Sequence, residues 1–281
     1  MNAIAPSIIE RLPFEQYVTL PEVNATSLFN ILTSPLLYRW RKDNSRPDSD
    51  AFRQGRAAHT AILEPDRFLR DYALWEGGRR DKRIKEYADF LEVNAGKTIL
   101  TVEQYDTANR MRDAVSDHAV AYPLLSEKGR NELTLKWQHP GTGIACKGRV
   151  DRLSSNLIDI KSSRDISPRM FSQSAGRYGY HFQLAFYRDG VIVIEGRAPP
   201  VKIVAVQNCP PYDVVCYDVP EEVLARGNEQ IEKALERLQR CTDSGAWPGV
   251  APDLEVPLAL PSWVDGSSEE DEPLTFEGEA L

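Results

Sequence analysis

The chain has 281 residues, 42% of them hydrophobic, with 34 basic and 42 acidic side chains and a formal net charge of −8. That length and apolar share can bury a sizeable core as one large domain or a domain with additions, which excludes a disordered chain. No apolar run reaches the length of a membrane span, and the opening MNAIAPSIIERLPFEQ lacks the basic start and apolar core of a secretory leader, so a cytoplasmic location is expected.

The first part of the chain reads as helical. Residues 24–42 open with Asn24 and Thr26 as candidate caps, and Pro35 splits them into two short helices. A third helix, AFRQGRAAHTAILEP at 51–65, is expected to stop at Pro65. After a short strand, YALW, the spacing predicts helices over 81–95 and 102–118, the second starting in a capping-box pattern from Thr101 to Gln104. The period then changes from helical to alternating. NELTLKWQ (131–138) and GIACKGRVDRL (143–153) flank the turn HPGTG and predict a β-hairpin, and LIDIK (157–161) follows as a third strand. Helices at 167–177 and 180–190, strands at 201–208 and 213–219, and a long charged helix at 221–243 complete this reading. The last 31 residues, 251–281, carry nine acidic side chains, no lysine or arginine, and Pro252, Pro257, Pro261 and Pro273. They are expected to form an extended, mobile tail beside one domain spanning 1–250. The tail serves solubility first, with partner docking or DNA mimicry as the alternatives. Without it the body holds 34 basic against 33 acidic residues, a balance that permits a local basic channel.

The stretch GRVDRLSSNLIDIKSS (148–163) sets two aspartates and a lysine into apolar strands. Side chains at i and i+2 share a face of a strand, so Asp159 and Lys161 point one way while Ile158 and Ile160 pack the other. Asp151, one strand earlier, reaches the same neighbourhood. Buried carboxylates are costly in a core but suited to a divalent metal, and a phosphodiester-cleaving site needs such an ion beside a cationic donor. Taken alone, the D-x-K triplet is better read as an exposed edge with a surface ion pair, because three-residue charge patterns are common by chance.

Three further features bear on that choice. His59 lies on a predicted helix one turn after Gly55; Gln183 and Tyr187 fall at i and i+4 of another helix; Glu132 sits on the strand before the hairpin. Singly, such a histidine is more often a hydrogen-bonded core or surface residue than a ligand, and an apolar helix with Gln and Tyr is most often core with polar tips.

In order, G-x-x-x-H, G-R-V-D, I-D-I-K-S-S and Q-x-x-x-Y resemble the RecB-like branch of the PD-(D/E)xK nuclease superfamily. More narrowly, YVTLPEVNATSLFNILTSPLLYRW followed by FRQGRAAHTAILEPDRF resembles the exodeoxyribonuclease VIII (RecE) family of phage and prophage exonucleases, over about Tyr17 to Tyr187. The resemblance implies an α/β (α+β) fold with a restriction-endonuclease-like core: a central mixed β-sheet flanked by helices, with a helical N-terminal part. It implies a Mg2+-dependent exodeoxyribonuclease, with Mn2+ as substitute, that degrades linear double-stranded DNA 5′→3′ in a bacterial host and leaves 3′ tails for a RecT-like annealing protein. Asp151, Asp159 and His59 would bind metal with the Ile160 carbonyl and, with less support, Glu132. Lys161 would be the catalytic lysine, positioned by Gln183 and Tyr187.

Relatives with an iron-sulfur cluster need one cysteine before the core and three close together after it. Cys146, Cys209, Cys216 and Cys241 do not have that spacing, so no cluster is expected, nor a zinc knuckle or disulfide framework. Homologous enzymes enclose DNA as rings, so a homo-oligomer, a tetramer by preference, is expected, with Arg53, Arg56 and Arg177 as DNA-facing candidates beside Lys82 and Arg83. The competing expectations are a structure-specific endonuclease, which would cut circular DNA, and a non-catalytic DNA-end-binding protein.

Overall fold

A computed structural model describes residues 5–44, 49–252 and 254–258, so most of the expected acidic tail lies outside the described residues. Strand β1 (Ser7–Glu10) and helix α1 (Phe14–Thr19) lead into α2 (Ala25–Thr33), α3 (Pro35–Asp43), α4 (Asp50–Leu63) and α5 (Pro65–Asp71). The chain continues through β2 (Tyr72–Trp75), α6 (Lys85–Val93), β3 (Thr98–Thr101), α7 (Val102–Asp117) and α8 (Ala121–Ser126). Then come β4 (Arg130–Gln138), β5 (Ala145–Leu153), β6 (Leu157–Ser163), α9 (Pro168–Tyr178), α10 (Tyr180–Glu195), β7 (Val201–Gln207), β8 (Val214–Val219) and α11 (Glu221–Ser244).

Local chemistry accounts for several of these boundaries. Asn24 caps α2 by accepting the Ser27 N–H at 2.9 Å, so of the two expected caps Thr26 is not one. Ser34 ends α2 and caps α3, whose first residue is Pro35. The capping box at Thr101 is complete, each partner accepting the other's backbone N–H at 3.1 Å. Helix α4 ends at Leu63, just ahead of Pro65 as expected, but Pro65 does more than stop it. It opens α5, because a first-turn position needs no N–H donor and suits the fixed φ of proline. The helix expected from residue 81 starts at Lys85, after a turn held by Asp81.

Six strands form a mixed sheet in the order β1-β4-β5-β6-β7-β8, in which only β6 and β7 run parallel; β2 and β3 make a separate parallel pair. The fold is therefore mixed α/β, a central mixed sheet flanked by helices. Alternation along the strands divides the core in two. Leu157 and Ile203 pack with α2, α10 and α11, whereas Ile158, Ile160, Val204 and Val206 pack with α4, α7 and α8. Two helical layers thus press on opposite faces of one sheet, and β6 sends alternate side chains into each. None of the described helices is long and apolar enough to cross a membrane.

Candidate active site

Strands β5 and β6 pair only at Arg152↔Ile158 and Leu153↔Leu157 and part beyond that point. Splaying strands leave backbone groups without ladder partners, and these must be satisfied in some other way. Asp151 does so: its Oδ2 accepts the Ile160 N–H at 2.7 Å. From α4, His59 brings Nδ1 to 3.4 Å from the same oxygen. Glu132 joins them through an irregularity in β4. Its φ is +53°, a left-handed value rare for a residue with a side chain, and the ladder passes from Asn131↔Arg152 to Leu133↔Val150 without it. His59, Glu132 and Asp151 thereby offer ligand atoms that all lie within 4.8 Å of one another.

On the other face of β6, Lys161 Nζ stands 2.7 Å from Asp159 Oδ2. The same ammonium donates to Gln183 Oε1 at 2.8 Å, and Gln183 Nε2 donates to the Tyr187 hydroxyl at 3.0 Å. Both partners come from α10, one turn apart. The Tyr187 ring fits because β5 carries glycine beneath it: a Cβ on Gly148 would lie 2.8 Å from Tyr187 Cδ1.

The charges are unbalanced in favour of a cation. Burial raises the Glu132 carboxyl, and the neighbouring Asp151 charge raises it further against the pull of Arg149. Asp159 is pushed up by burial and by Asp151, more than Lys161 draws it down. Burial works against the Asp151 carboxylate too, but His59, Lys161 and the Ile160 N–H together hold it below the usual range. His59 rises in spite of burial because of Asp151, and Lys161 rises in spite of burial because of Asp159 and Asp151. Asp159 Oδ2 is fully buried and has the Lys161 ammonium as its ion-pair partner but no further hydrogen bond. Carboxylate oxygens and one imidazole nitrogen in this spacing, with a further buried carboxylate oxygen nearby, fit a hard divalent cation.

A cavity of about 680 Å³ opens onto His59, Glu132 and Asp151, walled by Phe14, Gly55, Arg56 and Arg149 among others. Of the arginines expected to face DNA, Arg56 lines this cavity with its guanidinium over the Phe14 ring. Arg53 instead pairs with Asp50 at 2.8 Å, and Arg177 lies in the last turn of α9 beside Tyr178. Arg149 did not stand out in the sequence, although it sits inside G-R-V-D. Its Nε binds Glu132 Oε2 at 2.8 Å and its Nη1 binds the Leu12 carbonyl at 2.7 Å, so it anchors both the kinked carboxylate and the segment before α1. Lys147, two residues earlier, holds the C-terminal end of α1 through the Tyr17 and Leu20 carbonyls at 2.8 and 2.7 Å.

A family profile described as a PDDEXK-like domain of unknown function (DUF3799) matches residues 34–256. Among solved structures, the chain is similar to a candidate exonuclease from Eubacterium rectale at 15% identity, covering 92% of this chain and 99% of that one with a TM-score of 0.61. It is also similar to a phage-related exonuclease from Haemophilus somnus 129PT at 15% identity, covering 83% of this chain and 100% of that one with a TM-score of 0.33. No curated protein matches.

Proposed function

Because the chain belongs to the family of PDDEXK-like domains (DUF3799), we propose that it is a metal-dependent exonuclease acting on linear double-stranded DNA. The observation that carries this reading is the convergence of His59, Glu132 and Asp151 beside the linked side chains Asp159, Lys161, Gln183 and Tyr187. A cluster of acids with an ammonium donor is what hydrolysis of a phosphodiester requires. Its siting where two strands part gives a phosphate access to both.

In this reading His59, Glu132, Asp151 and Asp159 hold a divalent ion, Mg2+ or Mn2+. The Ile160 carbonyl joins them, since in extended backbone it faces the same edge as the N–H that Asp151 accepts. Such an ion supplies Lewis-acid polarisation of the phosphate and a more acidic water. Lys161, kept charged and aimed by Gln183, offsets negative charge growing on the phosphoryl oxygens. Tyr187 fixes the Gln183 amide, and Arg149 holds Glu132 in its kinked conformation. Arg56 at the cavity wall meets the backbone of the entering strand, with Arg177 and Arg53 further along it.

The finer proposal follows the RecE-like motif order: degradation 5′→3′ in the cytoplasm of a bacterial host, leaving 3′ single strands for a RecT-like annealing protein, by a homo-oligomeric ring. One experiment tests it. Linear duplexes labelled at either the 5′ or the 3′ ends are digested in Mg2+ beside a covalently closed circle. Early loss of the 5′ label with the circle intact is the expected result. Early loss of the 3′ label reverses the polarity, and cutting of the circle replaces the exonuclease with an endonuclease.

A further inference from the structure

A run of aromatic rings connects the surface of α9 and α10 to Lys161. The Tyr180 ring lies 4.8 Å from the Lys161 ammonium, near enough for a cation–π contact. Tyr178 stacks on Tyr180, centroids 6.1 Å apart and planes inclined by 28°, and remains 61% exposed. From below, Phe171 packs on Tyr180 at 5.8 Å and stacks on Tyr217 at 4.7 Å, whose hydroxyl donates to the Ile166 carbonyl at 2.5 Å. Gly179 sits between the two tyrosines with φ +71°, and a Cβ there would meet the Phe29 ring at 2.9 Å. The turn that presents the rings is thus fixed by backbone geometry as well as by packing.

An exposed tyrosine at a helix end is ordinary by itself. This one is the outer member of a supported stack whose inner member touches the lysine of the site. The Arg177 guanidinium lies over its ring, 5.9 Å from the centre, so a cation accompanies the platform. A flat π-surface with an exposed cation at hand and next to a phosphate-handling lysine matches one ligand chemistry, an unpaired nucleobase with its own phosphate.

We propose that Tyr178 and Tyr180 form a stacking platform for an unpaired nucleobase of the strand whose phosphate lies at Lys161, with Arg177 meeting an adjacent phosphate. This rests on the nuclease reading and adds a subsite to it. Stacking on aromatics tolerates any base, so the platform holds the strand in place with no sequence preference and keeps the end frayed.

The test is a binding cycle in EDTA, where no cleavage occurs. Dye-labelled duplexes, intact or lacking one base at each of the first few positions from either end, are titrated by fluorescence anisotropy with wild type, Tyr178→Ala and Tyr178→Trp. Wild type is expected to lose about tenfold in affinity when one particular base is missing. Tyr178→Ala is expected to show that loss already on intact DNA and to be indifferent to the same base, while Tyr178→Trp binds as wild type does. If Tyr178→Ala matches wild type on intact DNA, or if its loss adds to the loss from every missing base, there is no platform. Wild-type protein that shows the expected pattern but cuts nothing in Mg2+ supports the platform and overturns the nuclease reading instead.

Discussion

Asp151 has two tasks at once: it accepts the backbone N–H that the parting strands leave free, and it faces His59 at 3.4 Å. Lys161 is tied just as closely, to Asp159 and to Gln183. Its removal should therefore abolish chemistry while leaving DNA bound. We expect Lys161→Ala to cut at least ~10³-fold more slowly, with affinity measured in EDTA within a few-fold of wild type. A second residue-scale prediction concerns stability. Burial, with Glu232 nearby, pushes the Asp189 carboxyl up to about 6 against the pull of Arg188. The folded state then binds more protons than the unfolded one between the ordinary carboxylate range and pH 6, so stability falls as pH rises through that window and stays reduced above it. Asp189→Asn should be the more stable protein at pH 8, by on the order of 2 kcal/mol, with the gain vanishing toward pH 4 in urea unfolding.

At the scale of elements, the site depends on α10 lying close against β5. Gly148 makes that approach possible, and a methyl there would push on a Tyr187 ring that is itself buried. Gly148→Ala is expected to cost about 1–3 kcal/mol in stability by overpacking. It should also slow cleavage further than Tyr187→Phe, which removes only the hydroxyl; single-turnover rates beside urea midpoints separate the two effects. The strands and the later helices were legible in the sequence because their periods are long and regular: Leu133, Leu135 and Trp137 alternate, and α11 runs for 24 residues. Strands β1 and β3 were not: β1 takes its place by pairing with β4, more than a hundred residues away, and β3 by pairing with β2. Pro65 marks the stop of α4 correctly, but the seven-residue α5 that it opens carries too little period to show in the sequence. Within the site, the motif order pointed to His59, Asp151, Asp159, Lys161, Gln183 and Tyr187, whereas the kink that turns Glu132 is a backbone event with no residue signature. Arg149 and Tyr180 were hidden for a different reason: their importance lies in what they touch, Glu132 and Lys161, across long sequence separations.

On the scale of the whole molecule, one sheet separates two cores, and the site sits at the break in its ladder between β5 and β6. A site at such a break draws on helices from both faces, α4 on one side and α10 on the other. Charge is arranged unevenly as well. Residues 259–281 carry seven acidic groups and no lysine or arginine. Deleting them should raise affinity for DNA at low ionic strength, and the difference should shrink as salt approaches a Debye length of about 8 Å. Binding isotherms at several salt concentrations check this. The proposed activity depends most on His59, Glu132 and Asp151 making a single divalent-ion site. Calorimetric titration of Mn2+ into wild type and Asp151→Asn tests it most directly. Saturable binding that Mg2+ displaces is expected in wild type, weakened at least about tenfold in the variant, with the variant's thermal unfolding no earlier than wild type's. The same isotherm in both proteins would contradict it.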